Sequence, residues 1–320
     1  MNLLEEIGSA KNIGIAGHIR PDGDCVGSCL ALYNYLKNAC KDAKVTVYLE
    51  QPSSIYSFLK GFDEITHALY EKDIHDVFIA LDSGDTDRLG DAKELYEKAH
   101  KTICIDHHIS NQGFGNVREN RPDASSTCEV LFDLFEKEYL DNEVAKALYT
   151  GIVHDTGVFQ YNNMKKHTFQ VVGELVEYDF DGSKIIDETF YQKTYVQNQI
   201  LGRALLESIV FMDGRCIASE VDRKIMEFYN VDAKDLDGIV NQLRVTKGVE
   251  VAIFLYELRT QEYKVSMRSN GKVDVAKIAA YFGGGGHVRA AGCTMNGSVY
   301  DVLNNLSLHI EKQLDGDYNS

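Results

Sequence analysis

The first half of the chain alternates short apolar runs with segments of helical periodicity. The runs are continuous, which is typical of buried parallel strands, and they cover residues 12–16, 44–49, 77–81 and 102–105. Helical spacing places one set of apolar residues on a shared face between the first two runs: Val26, Cys29, Leu30, Tyr33 and Leu36. Strands that alternate with helices predict an α/β fold with a doubly wound, mostly parallel sheet.

The second half has a different pattern. Its strand runs cover residues 209–212, 216–219, 249–258 and 262–267, and the first two flank the hairpin signal Asp213-Gly214. A helical run at 273–281 leads into four glycines, and a final helix covers about 299–314. These elements predict a smaller α+β domain with a mixed sheet. We place the first domain at 1–182, a linker at 183–205 and the second domain at 206–320.

Charge and composition narrow the classes of function. The 320 residues include 33 Lys and Arg against 49 Asp and Glu, so the formal net charge is −16. Such a chain repels long polyanions, although bound cations would still let it hold a small anion. Its apolar runs are shorter than a membrane span, and its seven irregularly spaced cysteines are typical of reduced thiols. We therefore predict a cytoplasmic protein that binds neither membranes nor long nucleic acids.

Polar clusters follow three of the predicted strands. His18, Asp22 and Asp24 lie in a tight loop after the first, although Asp24 could instead cap the next helix. Asp82 directly follows the third strand, and Asp106-His107-His108 follows the fourth. Ligands of doubly wound sheets bind beyond the carboxyl ends of the strands, so these side chains are candidates for one site.

The two adjacent histidines cannot act alike, because successive side chains of a strand point to opposite faces. We expect one of them to bind metal and the other to face substrate or a supporting carboxylate. Two further helices are predicted, one at about 127–139 and one from Asn142 onward, and the second ends in another polar cluster that includes Asp155. An acidic side chain at a helix C-terminus is unfavourable unless a cation lies nearby.

Carboxylates gathered at this density need compensating positive charge to stay ionised. Two divalent cations with one bridging carboxylate would supply it. Imidazole and carboxylate donors favour manganese or magnesium over structural zinc. Cys25 and Cys104 lie near these clusters and are interpreted as packing residues rather than catalytic thiols.

The glycines at 283–286 allow backbone N–H groups to approach an anion, and Arg268, His287 and Arg289 could add charged donors there. The alternative is a helix C-cap with a flexible turn, for which one glycine would suffice. Ser125 and Ser126 could bind phosphate or cap the helix that follows, and the sequence leaves both interpretations open.

Five segments of the chain, in order, resemble the motifs of the DHH phosphoesterase superfamily. They are HIRPDGD (18–24), ALDSGD (80–85), IDHH (105–108), GIVHDTG (151–157) and FGGGGHVRAAG (282–292). Within the superfamily, DASSTCEV (123–130) and the segment 267–287 resemble bifunctional oligoribonucleases and phosphatases of 3′-phosphoadenosine 5′-phosphate (PAP).

The resemblance implies a role for each matching residue. One manganese ion would be held by His18, Asp22 and Asp82, and the other by Asp24, Asp82, His107 and Asp155. His108 would contact the scissile phosphate or its leaving group, and Asp106 would support the histidines. Mg²⁺ or Co²⁺ could replace Mn²⁺. The implied substrate-binding residues are Arg268, Gly284, Gly285, Gly286, His287, Arg289, Ser125 and Ser126, of which Arg289 stands where relatives often carry Lys or Asn.

The activity implied is hydrolysis by water that two metal ions activate, in a site between the two domains. The substrates would be short RNA oligonucleotides and dinucleotides such as pApA and pGpG, giving nucleoside 5′-monophosphates, and PAP, giving AMP and phosphate. A homodimer is left open. The alternatives are a manganese-dependent inorganic pyrophosphatase, which the glycine run disfavours, an exonuclease of long single strands, which the negative charge disfavours, and a non-catalytic nucleotide sensor.

Overall fold

Parallel strands form the sheet at the centre of the first unit. A computed structural model describes residues 1–67 and 74–316 and divides the chain into two units, Met1–Gln192 and Lys193–Ser320. The strands described in the first unit are β1 (Asn12–Ala16), β2 (Lys44–Tyr48), β3 (Val77–Leu81), β4 (Lys101–Asp106) and β5 (Val117–Asn120). They lie in the order β2-β1-β3-β4-β5, and each neighbouring pair is parallel. The predicted doubly wound sheet is confirmed.

Helices pack on both faces of this sheet. They are α1 (Leu3–Ile7), α2 (Gly23–Ala39), α3 (Ala92–Lys98), α4 (Thr127–Leu134), α5 (Asn142–Asp155), α6 (Lys166–Leu175) and α7 (Gly182–Ile186). Alternate residues of β3 face opposite cores, as a strand covered on both sides requires. Ile79 packs into the larger core, which α2, α4 and α5 share, whereas Phe78 packs with Leu95 of α3 in a smaller one.

The helix predicted from Val26 begins three residues earlier, at Gly23. Asp22 is its N-cap, since its side chain accepts hydrogen bonds from the backbone N–H groups of Asp24 at 3.2 Å and Cys25 at 3.1 Å. The alternative that Asp24 caps this helix is therefore wrong. The carboxylate of Asp24 is free of that task and turns inward, where it is almost completely buried.

Two glycines let α2 and α5 approach closely. A Cβ added to Gly27 would lie 2.7 Å from the carbonyl oxygen of Ala147, and one added to Gly151 would lie 2.8 Å from Oδ1 of Asp24. Neither position has room for a larger side chain. The crossing brings the C-terminal end of α5, which ends at Asp155, beside the first turn of α2.

The strand order reverses between β1 and β3, because β2 lies on one side of β1 while β3, β4 and β5 lie on the other. Such a reversal separates the loops that follow the two strands and opens a crevice at their carboxyl ends. The loop from Gly17 to Asp22 follows β1, and Asp82 follows β3. The first and second polar clusters of the sequence therefore lie at this reversal.

The second unit contains a mixed sheet, as predicted. Its described strands are β6 (Ile209–Phe211), β7 (Cys216–Val221), β8 (Val251–Arg259), β9 (Glu262–Ser269), β10 (Gly285–His287) and β11 (Ala290–Asn296). They lie in the order β10-β11-β9-β8-β7-β6, in which β7 and β8 are parallel and the other neighbours are antiparallel. Left-handed backbone at Met212, Asp213 and Gly214 closes the predicted hairpin.

Its described helices are α8 (Tyr195–Leu206), α9 (Arg223–Tyr229), α10 (Ile239–Arg244), α11 (Val275–Tyr281) and α12 (Val299–Leu314). The helices α11 and α12 pack on one face of the sheet, and α8 and α10 pack on the other. The predicted linker, residues 183–205, is helical: it contains most of α7, a π-helical turn at Asp187–Tyr191 and most of α8. Within the described ranges, no helix is both long enough and apolar enough to cross a bilayer.

Candidate metal centre

The loop after β1 places an imidazole and a carboxylate side by side. Nδ1 of His18 donates to the carbonyl oxygen of Ile19 at 2.8 Å, which leaves Nε2 as the nitrogen that faces the carboxylates. That Nε2 lies 3.6 Å from Oδ2 of Asp22 and 3.5 Å from Oδ2 of Asp82. The carbonyl group of Ile19 thus orients the His18 ring as a metal ligand would be oriented.

Asp82 lies at the centre of the group. Its backbone has a φ of +52°, a left-handed conformation that is uncommon for residues other than glycine and is often found at functional sites. Only 2% of its surface is exposed. Oδ1 lies 3.6 Å from Nε2 of His107 and 3.6 Å from Nδ1 of His108, while Oδ2 faces His18. One carboxylate therefore has imidazoles on both sides, as a bridging ligand requires.

Asp24 is held by the amino terminus of α4. Its two carboxylate oxygens accept hydrogen bonds from the backbone N–H groups of Thr127 at 2.7 Å and Cys128 at 3.1 Å. Helix N-termini favour negative charge in this way. Burial nevertheless raises the pKa of Asp24 to about 7, and the nearby charge of Asp82 adds to the rise.

His107 joins these carboxylates to the end of α5. Its Nε2 lies 3.5 Å from Oδ2 of Asp155 and 3.9 Å from Oδ2 of Asp24. Asp155 is the last residue of α5, so it lies at the unfavourable end of the helix dipole, as the sequence predicted. Burial, followed by the charges of Asp24 and Asp82, raises the pKa of Asp155 well above its usual value.

His108 and Asp106 form a separate pair. Nδ1 of His108 donates to Oδ1 of Asp106 at 2.7 Å, and this contact raises the pKa of His108. The same oxygen accepts the backbone N–H of His107 at 2.8 Å, and Asn111 donates to the other at 2.7 Å. Because β4 ends at Asp106, a loop rather than strand alternation separates the roles of the two histidines.

We call the group that these elements bring together the carboxylate edge: His18, Asp22, Asp24, Asp82, His107 and Asp155. The Nε2 atoms of His18 and His107 lie 3.5–3.9 Å from the carboxylate oxygens that face them, which is longer than an N–H···O hydrogen bond. Two ligands of one cation with bonds of about 2.1 Å lie roughly 3.0–3.4 Å apart, so these atoms need only a small movement to share an ion. The donor set fits divalent cations.

The charges show why protons or cations are needed here. Burial lowers the pKa of His18, but contacts with Asp22 and Asp82 outweigh burial and raise it to about 12. Burial raises the pKa of Asp22, but the contact with His18 reverses that effect and lowers it to about 2. In the absence of metal, the raised pKa values of His18, Asp24 and Asp155 favour their protonated forms. Divalent cations would displace these protons on binding.

Several supporting residues were missed by the sequence analysis. Oγ1 of Thr127 donates to Oδ1 of Asp82 at 3.1 Å. Nδ2 of Asn163 donates to the carbonyl oxygen of Asp155 at 3.0 Å, and Asn111 fixes Asp106 as described above. Thr127 lies 45 residues from Asp82, whereas Asn163 and Asn111 lie only eight and five residues from the groups that they support, in loops where an Asn is typical of an ordinary turn.

Ser125 and Ser126 have structural partners in this unit. Oγ of Ser126 accepts the backbone N–H of Glu129 at 3.1 Å and caps α4. The hydroxyl of Ser125 donates to the carboxylate of Glu129. Both serines are fully buried. The structure favours the N-cap interpretation, and their role in substrate binding stays a prediction.

In the second unit, strand register places candidate substrate-binding residues on one face. His287 of β10 pairs with Ala290 of β11, which pairs with Arg268 of β9. Directly paired residues of antiparallel strands point to the same side of the sheet, so the two charged side chains flank a small one. In the next row on this side, Gly285 pairs with Gly292. We call these five residues the glycine face.

Backbone geometry explains three of the four glycines at 283–286. Gly283 has a φ of +75° just after α11, and Cβ atoms at Gly284 and Gly286 would lie 2.2 and 2.4 Å from carbonyl oxygens of β11. Gly285 alone of the four has neither a positive φ nor a close neighbour. Gly283 and Gly284 therefore cap α11, since their backbone N–H groups donate to the carbonyl oxygens of Ala280 and Ala279, and Gly285 and Gly286 begin the edge strand β10 that pairs with β11. The predicted contact of the run with an anion, and that of the exposed Arg289, stays a prediction.

Comparisons with known proteins identify the family. The model described as "DHH family, N-terminal domain" matches residues 12–152, and the "DHHA1 domain" matches residues 213–314. The chain belongs to the DHH phosphoesterase family. The resemblance seen in the sequence is confirmed, and DHH phosphoesterases use divalent metals such as Mn²⁺.

Relatives in this family are similar to the chain over more than nine-tenths of its length. This DHH phosphoesterase is 32% identical over 303 residues to the bifunctional oligoribonuclease and PAP phosphatase NrnA of Thermus thermophilus, with 93% of this chain and 89% of that protein covered. The protein of that name from Bacillus subtilis is 26% identical, with 92% of each covered. The crystal structure of an exopolyphosphatase-related protein from Bacteroides fragilis has a TM-score of 0.84 at 26% identity, covering 95% of this chain and 92% of that one.

Proposed function

We propose that this DHH phosphoesterase hydrolyses short RNA oligonucleotides, including pApA and pGpG, to nucleoside 5′-monophosphates, and PAP to AMP and phosphate. The observation that carries the proposal is the carboxylate edge, in which one buried carboxylate, Asp82, has imidazoles on both sides. The similar proteins named as bifunctional oligoribonucleases and PAP phosphatases supply the substrate class.

His18, Asp22 and Asp82 would hold one divalent cation, and Asp24, Asp82, His107 and Asp155 would hold the other. When bound, two such cations lower the pKa of water and polarise phosphoryl oxygens. We favour Mn²⁺ because the donors are oxygen and imidazole nitrogen, and Mg²⁺ or Co²⁺ would fit the same donors. The buried Thr127 and the N-terminus of α4 would keep Asp82 and Asp24 in place.

His108 would act on the substrate rather than as a ligand. Asp106 accepts from Nδ1, so Nε2 is the nitrogen left to contact the scissile phosphate or to give a proton to the leaving oxygen. The side chain is about one third exposed, at 34%, whereas Asp106 is completely buried. Asp106 therefore fixes the orientation and tautomer of an imidazole that substrate can reach.

His287 and Arg268 would bind a substrate phosphate from the glycine face. Nε of Arg268 donates to Oδ1 of Asn241 at 3.0 Å, and its Nη1 donates to the carbonyl oxygen of Met267. These contacts hold the guanidinium in place before substrate binds. Ala290 lies between the two side chains, and Gly285 pairs with Gly292 in the next row, so little side-chain bulk would keep a nucleotide from the sheet here. A cytoplasmic location and a homodimer remain predictions from the sequence.

A substrate panel tests the function. With Mn²⁺ present, we expect turnover of pApA, pGpG and PAP and little turnover of inorganic pyrophosphate or long single-stranded RNA. Preferred pyrophosphate hydrolysis would favour the pyrophosphatase alternative. Calorimetric binding of the nucleotides without any turnover would favour a sensor, and either result would overturn the proposal.

A further inference from the structure

A thiol lies among the donors of the proposed metal centre. Sγ of Cys25 and one donor atom each of His18 and Asp82 all lie within 4.8 Å of one another, and all three residues are buried. From the sequence alone, Cys25 is expected only to pack. The structure places its sulfur where it can reach the same cation as His18 and Asp82.

The fold fixes this sulfur in position. Cys25 lies in the first turn of α2, and its backbone N–H donates to Oδ1 of Asp22 at 3.1 Å. The sulfur occupies the space that Gly17 leaves, since a Cβ at that position would lie 2.3 Å from Sγ. It lies 3.8 Å from the carbonyl oxygen of His18. The side chain has no exposed surface, so it cannot turn away toward solvent.

The loop therefore offers two donor sets that share His18 and Asp82. With Asp22 as the third donor, the set is one nitrogen and two oxygens, which suits Mn²⁺ or Mg²⁺. With Cys25 as the third donor, the set is one nitrogen, one sulfur and one oxygen, which suits a thiophilic cation such as Zn²⁺. Which set is used depends on the softness of the cation.

We propose that Cys25 is a conditional metal ligand, which binds Zn²⁺ and similar thiophilic cations at the His18–Asp82 position and leaves Mn²⁺ to the oxygen donors. The inference rests on the proposed metal centre and adds a ligand to it. Binding forms a zinc–sulfur bond and releases the thiol proton to solvent. Zn²⁺ held in this way competes with Mn²⁺ and is drawn away from Asp22, so it inhibits hydrolysis.

Cobalt spectroscopy reports sulfur ligation directly, independently of activity. We expect the wild-type protein with Co²⁺ to show a sulfur-to-cobalt charge-transfer band in the near ultraviolet. Cys25→Ala should remove the band and weaken Zn²⁺ binding relative to Mn²⁺ binding by about tenfold or more, the scale of a lost metal contact. Cys25→Ser, which keeps the size of the side chain, should also lack the band.

Cys128→Ala is the matched control. Cys128 is as buried as Cys25, and its Sγ lies 3.9 Å from the carbonyl oxygen of Asp24. No candidate metal group among the described residues includes it. The band and the Zn²⁺ affinity should persist in this variant, and their loss there rather than in Cys25→Ala would overturn the assignment.

X-ray absorption at the zinc edge of the wild-type protein needs no variant. We expect one sulfur at about 2.3 Å together with nitrogen and oxygen ligands at about 2.0–2.1 Å. A shell of nitrogen and oxygen alone would overturn this inference while the proposed function stands, provided that Mn²⁺ still supports hydrolysis. If neither Mn²⁺ nor Zn²⁺ binds the carboxylate edge, both proposals fail.

Discussion

The carboxylate edge and the glycine face differ in how their residues are held. At the edge, Asp82 and Asp24 are almost completely buried and are fixed by Thr127 and by the amino terminus of α4. On the face, His287 is exposed, and its place beside Arg268 follows only from strand register. One site gathers like charges at a cost that cations would offset. The other presents an arginine and a histidine beside small residues of the sheet.

This difference suggests separate roles for the two groups, catalysis for the carboxylate edge and substrate binding for the glycine face. Buried carboxylates are destabilising unless a partner neutralises them, so their gathering at one place points to a ligand of definite charge. Exposed Arg and His residues cost little to maintain and say less about what they bind. Variants of the edge should therefore affect the rate of hydrolysis, and variants of the face should affect substrate affinity.

The largest effect is expected from Asp82→Ala. Its carboxylate faces His18, His107 and His108, so its removal would take a ligand from both proposed cations. We expect kcat for pApA with Mn²⁺ to fall by about a thousandfold or more. The fold should be retained, which circular dichroism checks.

Asp87→Asn is a control from the same loop. Asp87 is exposed and pairs with Lys93, away from the edge, so activity should stay close to the wild-type value. If kcat of Asp82→Ala were within threefold of kcat of this control, the bridging role would be contradicted (a threefold difference is about 0.7 kcal/mol).

Arg268→Ala and His287→Ala should mainly weaken substrate binding. A charge-assisted hydrogen bond contributes about 1.5–3 kcal/mol, so we expect KM to rise roughly 10- to 100-fold in each variant, with kcat changed much less. Steady-state kinetics with pApA measures the two parameters. Arg259→Ala, at a highly exposed position of the same unit, should leave both unchanged. A collapse of kcat at constant KM would place these residues in the chemistry instead.

Thr127→Val should weaken metal binding by about tenfold, because Asp82 loses the hydroxyl that donates to its Oδ1. Isothermal titration calorimetry with Mn²⁺ measures the change in affinity. Thr127→Ser keeps the hydroxyl and should restore most of the affinity. A loss in Thr127→Ser as large as that in Thr127→Val would contradict the role of this hydrogen bond, because serine keeps the hydroxyl.

The smallest effect concerns stability and pH in the metal-free protein. The folded pKa of Asp24 is about 7 against 3.8 when free, and that of His18 is about 12 against 6.5. Both values are raised, so each contribution is complete below the free value and is lost as pH rises through the folded one. With a chelator present, Tm should therefore fall through Asp24 between about pH 3.8 and 7, and through His18 from about pH 6.5 upward.

Added Mn²⁺ should flatten this fall, because the cation replaces the protons that the edge otherwise needs. Asp24→Asn should flatten the part that Asp24 contributes. Scanning calorimetry across the pH range measures both slopes. A metal-free Tm that rises over this interval would mean that these groups are not protonated in the folded state.

The sequence predicted the edge better than the face, for a physical reason. Parallel strands deliver their C-terminal residues to one edge of a sheet, so a strand followed by Asp82 and another followed by Asp106 already imply a meeting place. The supporting contact of Thr127 with Asp82 joins residues 45 apart in the chain, and only the packing of α4 beside the end of β3 brings them together. The position of a motif in the sequence does not show which distant side chains support it.

The residues of the glycine face are brought together by strand register, which the local sequence pattern does not specify. The glycines from 283 to 286 looked like a loop that binds an anion, yet β10 and β11 form a hairpin in which Gly284 and Gly286 are required by close backbone contacts. The amphipathic signal of α12, by contrast, gave its bounds correctly. Long periodic helices are encoded locally, whereas a three-residue edge strand is encoded by its partner.

Anomalous diffraction at the manganese edge, from crystals grown with Mn²⁺, tests the central claim most directly. We predict two manganese peaks at the carboxylate edge, with Asp82 as a ligand of both ions, His18 and Asp22 on one, and Asp24, His107 and Asp155 on the other. A well-ordered edge with no anomalous peak, or peaks only elsewhere on the protein, would contradict the account.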